Sequence, residues 1–388
     1  MRLLPALLLL LLAQAASAEP RLFLPVFINP APATFERDLR ILSATSGESL
    51  GAMLTRRSVT ATAMDAGGRR LFIGLGQDNG TLAVYSVATG RLRTIDIPVV
   101  FPNALALDEA GGRLFVGSRF DDRIAEIDLA SLQITKLIET GGVSGIAVDP
   151  KRDRLHLIRF NALETIDPET STVIQRIDLP PASASRDVQR FDALRDRLYL
   201  ARNQSRLEVF DVTANGLVPY ATVEFDSGLG SLYLDAEAAQ LYAATTPSTI
   251  DAGNYAIDVD SIPAGVSSAD AIGVRFLALP RSAPYMDRDR NSGMLYLVQD
   301  FNVTPQLPPQ PPGDPMSIFV VDPASFEVQQ TIDTPIGGHN IPIDGFFSRI
   351  DGPNGISVAT VPVMTIPGLL LLLALMGSIG LAAIRLRH

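Results

Sequence analysis

A short phrase recurs along this chain and limits what it can fold into. Arg113-Leu114-Phe115-Val116 is one copy. Others begin at Arg21-Leu22-Phe23, Arg70-Leu71-Phe72, Arg154-Leu155-His156, Arg197-Leu198-Tyr199, Gln240-Leu241-Tyr242 and Met294-Leu295-Tyr296. The leucine returns at steps of 49, 43, 41, 43, 43 and 54 residues. A period in the forties marks a repeat architecture. Six residues before the leucine stands an aspartate in six copies: Asp65, Asp108, Asp149, Asp192, Asp235 and Asp289. A short apolar run precedes that aspartate, and a third run closing on Asp128, Asp167, Asp211, Asp258 or Asp322 follows the phrase. A fourth, such as Ile134-Thr135-Lys136-Leu137-Ile138, completes the unit.

Four short apolar runs separated by Asp, Gly, Pro and Asn predict a four-stranded antiparallel meander. One meander cannot bury both its faces, but seven packed radially can. The expected fold is therefore all-β: a seven-bladed β-propeller. The repeated aspartates fit turns, where a carboxylate accepts from backbone N–H groups a few residues on. A carboxylate present in nearly every unit is structural rather than catalytic. Asp258-Val259-Asp260 is expected as a solvated acidic pair in a turn.

The spacing, the x-Leu-Tyr/Phe-Val phrase, the Ile-Asp after it, and Ala88-Thr89-Gly90 or Glu169-Thr170 beyond resemble YVTN-type propeller repeats. The resemblance runs from about Arg21 to Thr360. It implies the fold, and it is compatible with surface proteins, binding modules and occasional enzymes. The Pro-Asp-Gly turn usual in such repeats is replaced here by Asp-Glu-Ala-Gly-Gly, Asp-Pro-Lys-Arg-Asp and similar.

Both ends carry targeting signals by composition. Residues 1–18 read as a signal peptide: Arg2, an apolar run to Leu12, then Ala16-Ser17-Ala18 before Glu19, with cleavage expected after Ala18. Residues 19–360 form the propeller and 361–388 a C-terminal tail. Within the tail Ile366 to Ile384 carries no charge and is long enough to span a bilayer as a transmembrane helix. Arg385 and Arg387 follow and hold that end in the cytoplasm, with the propeller outside. Val361-Pro362 to Gly368, the apolar span and the terminal arginines also resemble the bacterial sorting tails called IPTL-CTERM and PEP-CTERM. That resemblance implies a sorting protease and delivery to the cell surface. It lacks the Ser-x-Trp usual after the proline motif.

Formal net charge is −10, and the terminal segments hold three of the arginines, so the middle is more acidic still. Such a surface excludes nucleic-acid binding, which needs a basic footprint. With no cysteine there is no disulfide or thiol chemistry. Two lysines, Lys136 and Lys151, stand among arginines throughout, as in a high-GC bacterial genome.

The first blade, starting at Arg21, has no room for an innermost strand, and Asp344 to Ile350 near the far end can supply one. Such closure removes exposed edges. Links between the second and third strands are expected to be long in three neighbouring blades: Asn29 to Arg37, Thr245 to Tyr255, and Asp300 to Met316. Grouped loops on a rigid scaffold are where binding concentrates. The rim candidates are Phe35, Asp251, Asn254, Asn302, Pro305, Pro308 and Pro311, facing an extracellular protein or polysaccharide partner.

Channel candidates are Asn103, Arg186, Asp187 and Asp344. The fold also resembles calcium-dependent propeller lactonases, in which Glu, Asn and Asp from several blades hold the ion. That likeness keeps Ca²⁺ and a propeller hydrolase or lyase as the alternative function. No glutamate stands at a matching strand start, no cofactor is otherwise expected, and His339 is the one plausible general base. Gly-x-Ser-x-Gly, His-Glu-x-x-His and phosphate-loop motifs are absent. The preferred expectation is an exported, membrane-tethered or surface-sorted propeller without enzymatic activity, acting as a binding or scaffold module.

Overall fold

Each copy of the phrase becomes the second strand of a sheet, and its alternation explains why the units stack. In the strand Arg113–Gly117 of the third blade, Leu114 and Val116 enter a cluster with the second blade. Phe115, pointing the other way, enters a cluster with the fourth. The same holds for Leu198 and Tyr199, for Leu241 and Tyr242, and for Leu295 and Tyr296. The leucine therefore faces the preceding blade and the aromatic the following one, as side chains on successive strand residues must. All seven leucines are fully buried.

The computed structural model describes residues 21–28, 36–54, 58–65, 67–76, 80–180, 188–201, 205–246, 252–280, 283, 285–289, 292–299 and 316–334. They lie within the compact unit Glu19–Asn354. Among them are seven sheets, six of four strands and one of three, all antiparallel within the sheet. First strands lie beside first strands of the neighbouring blades and so form the inner wall. The molecule is a seven-bladed β-propeller, as the repeat predicts.

The three-stranded sheet is the first blade, Arg21–Ile28, Glu36–Ser43 and Ser49–Leu54. It corresponds to second, third and fourth strands, as expected. The segment proposed to complete it, 344–350, lies outside the described residues. Its neighbours on both sides are in place. Leu22, Phe23 and Leu24 share one cluster with Val59 and Leu71 of the second blade and with Tyr296 and Ile318 of the seventh. Gln330 Nε2 also donates to Thr45 O at 3.3 Å across that junction. The ring closes there by packing.

Two turns recur on one face of the disc. In the turn from first to second strand, Asp149 Oδ1 accepts from Lys151 N at 3.0 Å and Arg152 N at 3.3 Å, while Oδ2 meets Arg152 Nη1 at 2.9 Å. Asp192 does the same with Leu194 N, Arg195 N and Arg195 Nη1. Between third and fourth strands, Asp128, Asp167 and Asp322 accept from the amides of Ser131, Thr170 and Ala324. The repeated carboxylates are turn-formers.

Arginines then tie turn to turn. Arg113 Nη2 reaches Asp153 of the fourth blade at 2.6 Å, and Arg152 Nη1 reaches Asp196 of the fifth at 3.0 Å. Arg195 Nε reaches Asp260 of the sixth at 2.6 Å, and Arg288 of the seventh meets Asp235 of the sixth. Asp260 is thus ion-paired while remaining largely exposed, in keeping with the solvated acidic turn expected there. Its amide is capped by Asp258 Oδ1 at 3.0 Å.

Among the described residues no helix is long and apolar enough to cross a membrane. Residues 1–18 and 361–388, read as signal peptide and tail, lie outside them.

Candidate ligand-binding face

Most residues singled out from sequence lie outside the described part of the chain: Phe35, Asp251, Asn302, Pro305, Pro308 and Pro311 of the rim, Arg186, Asp187 and Asp344 of the channel, and His339. Two are described. Asn103 immediately precedes the first strand of the third blade, Ala104–Asp108, as expected. Its Oδ1 accepts from Arg119 N at 3.0 Å, so the side chain supports a turn of its own blade. Asn254 requires a correction. It is fully buried within the strand Gly253–Asp258, and its Nδ2 donates to Ala283 O at 3.0 Å. The second strand of that blade runs to Thr245, so the link is shorter than Thr245 to Tyr255 and Asn254 cannot belong to a rim.

His156 fills the aromatic slot of the fourth blade. It is fully buried, its Nδ1 lies 3.0 Å from Thr165 Oγ1, and its ring centroid is 5.9 Å from that of Phe191. Burial pushes its pKa down to about 4, against a partial upward pull from Asp149. A neutral, enclosed imidazole of this kind is a core group.

The face with the aspartate turns offers a cleft of about 550 Å³ between the second and third blades, lined by Asp65, Arg69, Arg70, Glu109, Gly112 and Asp128. At the position where later blades place Asp153 and Asp196, this turn has Gly112. Across this cleft Arg70 Nη1 donates to the Leu129 carbonyl of the third blade. The cleft's carboxylates already serve turns: Asp65 accepts from Arg69 N at 2.7 Å and Asp128 from Ser131 N at 2.7 Å.

The opposite face differs. There the link between second and third strands in the third blade is Ser118 to Asp122, and in the fourth the tight hairpin Arg159-Phe160-Asn161-Ala162. Each presents Arg-Phe at its tip. Phe120 is 59% exposed and Phe160 74%. The Arg119 guanidinium lies over the Phe120 ring at 4.6 Å. Phe101 meets Phe120 edge-on, centroids 5.5 Å apart, and Val100 beside it is 38% exposed.

The Ser118 to Asp122 turn is held by hydrogen bonds on both sides. Ser118 Oγ accepts from Phe120 N at 3.0 Å, Asp121 Oδ2 from Val100 N at 2.9 Å, and Ser118 O from Val143 N at 2.8 Å. The Asp121 carboxyl lies below its ordinary pKa because Arg123 and the Val100 amide hold it ionised against a burial cost that works the other way. Gly141 and Gly142 join the two turns. A Cβ on Gly142 would come 2.5 Å from Arg119 O, and one on Gly141 2.6 Å from Arg159 Nη1. The absence of side chains at both positions lets the Arg119 backbone and the Arg159 guanidinium approach.

Phe101 has φ 51. Among the described residues, the other non-glycine ones with positive φ (Leu132, Asp153, Ser171, Asp196, Ala239 and Phe326) sit in the two recurrent aspartate turns. Phe101 does not. A bulky side chain in that region costs about 1 kcal/mol, and such strain gathers where a surface is shaped for a ligand. Its ring lies over Gly76, where a Cβ would be 2.6 Å from Cε2.

Sequence reasoning did not select Phe101, Phe120 or Phe160. The available signal was the dipeptide Arg-Phe at 119–120 and again at 159–160, one repeat apart, just after the second strand.

Among the described residues, no group of three or more His, Asp or Glu side chains is placed to hold a metal ion. No family model matches the chain, and no curated relative does. Solved structures do. A protein from Lactobacillus plantarum is 13% identical with a TM-score of 0.56, over 82% of this chain and 97% of that one. The Cps50 (Swd1) β-propeller domain of Myceliophteria thermophila is 14% identical with a TM-score of 0.52, over 71% and 87%. The dihydro-heme d1 dehydrogenase NirN is 12% identical with a TM-score of 0.51, over 82% and 73%. At these identities the likeness is one of fold, and it places this chain among the β-propellers.

Proposed function

We propose that this protein is an exported propeller of YVTN-type repeats that works as a binding or scaffold module. Its partner is an extracellular protein or polysaccharide, and the segment 361–388 tethers it to the membrane or hands it on to the surface. The observation that carries the binding role is the pair of exposed aromatics on adjacent turns of one face. Phe120 and Phe160 stand exposed there on short turns, and the opposite face carries charged side chains engaged in turns and inter-blade pairs. Scattered apolar residues on a surface need no explanation, but paired aromatics on equivalent turns of adjacent blades do.

Export rests on the composition of the two ends. The test is fractionation of native cells with mass spectrometry of the mature chain. The expected result is recovery in the envelope with Glu19 as the first residue. A chain that begins at Met1 and stays in the soluble cytoplasmic fraction would overturn the reading.

A further inference from the structure

What the aromatic turns hold follows from their shape and charge, given the reading that this face binds. We propose that the face carrying the Arg119-Phe120 and Arg159-Phe160 turns binds a neutral polysaccharide, with sugar rings stacked on Phe120 and Phe160. A pyranose ring has an apolar face of C–H bonds and a rim of hydroxyls. The C–H bonds meet the electron-rich face of an aromatic ring, and the hydroxyls need donors and acceptors around it. Both are present. Arg119 donates, Asp122 accepts, and Asn161 does either, all three exposed on the same two turns.

Charge argues against an anionic polymer. Arg123 pairs with Asp121 at 2.9 Å, and Arg159 with Glu164 at 2.9 Å. Glu164 also pairs with Arg176 at 2.7 Å, and Arg176 with Asp178 at 2.9 Å. Arg119 and Asp122 offset each other, and Glu139 opposite Arg123 adds a negative charge. A face with no net positive charge on an acidic protein does not attract polyanions.

Peptide capture by strand addition is also disfavoured. It requires an unpaired strand edge, and the edges of these two blades are their outer strands, Ile134–Glu139 and Thr172–Asp178, rather than the aromatic turns. The strain at Phe101 is the independent sign that the platform is shaped in advance, since it fixes the ring that braces Phe120.

The experiment is calorimetric titration of the full chain, in a polyoxyethylene detergent free of sugar, with cellohexaose, laminarihexaose and mannohexaose. Polygalacturonate serves as the anionic arm, and decaproline tests the other peptide mode open to exposed aromatics, docking of a polyproline helix. At least one neutral hexasaccharide binds saturably, insensitive to added salt. Phe120→Ala and Phe160→Ala each weaken that binding about tenfold while Tm is unchanged. Three results would overturn the proposal: no binding of any neutral hexasaccharide, binding untouched by both substitutions, or preference for polygalacturonate or decaproline. Recovery of the chain from the cytoplasm would fail the export reading alone. Silent titrations with an envelope-located chain would fail only the glycan assignment.

Discussion

At the scale of single residues, the buried acids and the one core histidine make the sharpest predictions. Asp192 is fully buried, holding two amides with one oxygen and Arg195 with the other. Asp192→Ala strands these donors and should cost about 3 kcal/mol in urea unfolding. Asp192→Asn keeps an amide-accepting oxygen and should cost less; equal losses would show that the turn bonds do not matter. His156 predicts a pH dependence. Its folded pKa of about 4 lies below the unfolded value near 6.5, so the unfolded chain binds more protons between them. Its contribution is full above about pH 6.5 and is lost as pH falls towards 4, at most about 3 kcal/mol. His156→Phe suits a slot that holds Phe or Tyr in the blades on either side, and it should flatten that part of the stability curve. A variant with the same slope as the parent would remove the imidazole from the account.

At the scale of elements, strand positions were legible because the buried leucine and its aromatic neighbour point to opposite blades in every unit, which makes the period visible in the sequence. The shift of register between third and fourth strands was not. It occurs at Glu126/Ile127, Thr165/Ile166, Val209/Phe210 and Val320/Val321, each just before the closing aspartate or a neighbouring residue, and adds twist to the blade. Nor was the insertion Val259 to Gly273 foreseen, because its residues carry no strand alternation. It lies along the outer strand of the fifth blade, Gly216–Glu224, where Tyr220 O accepts from Gly265 N at 2.8 Å. Thr222 N and Glu224 N donate to Val266 O and Ser267 O. An edge strand otherwise exposes its amides. Amide exchange at Thr222 and Glu224 should therefore be at least about tenfold slower than at edge amides of Ile134–Glu139, the outer strand of the third blade. Equal rates would mean that the insertion does not hold that edge.

At the scale of the whole molecule, the repeat made the ring legible but not where its exposed aromatics lie. Long loops drew attention to the first, sixth and seventh blades, whereas the described aromatic surface lies on short turns of the third and fourth. Loop length is visible in a sequence; which face a turn occupies, and that Phe101 is held in a strained conformation under Phe120, are not. The packing of each leucine on the preceding blade and each aromatic on the following one requires that the seventh blade meet the first. The chain has no cysteine, so Thr45→Cys with Gln330→Cys, both exposed, gives a unique pair of thiols across the junction. Treatment with a short bis-maleimide should join them within one chain in high yield under native conditions and not in denaturant. A native chain in which the pair stays unlinked, or links only between molecules, would contradict a closed seven-bladed ring.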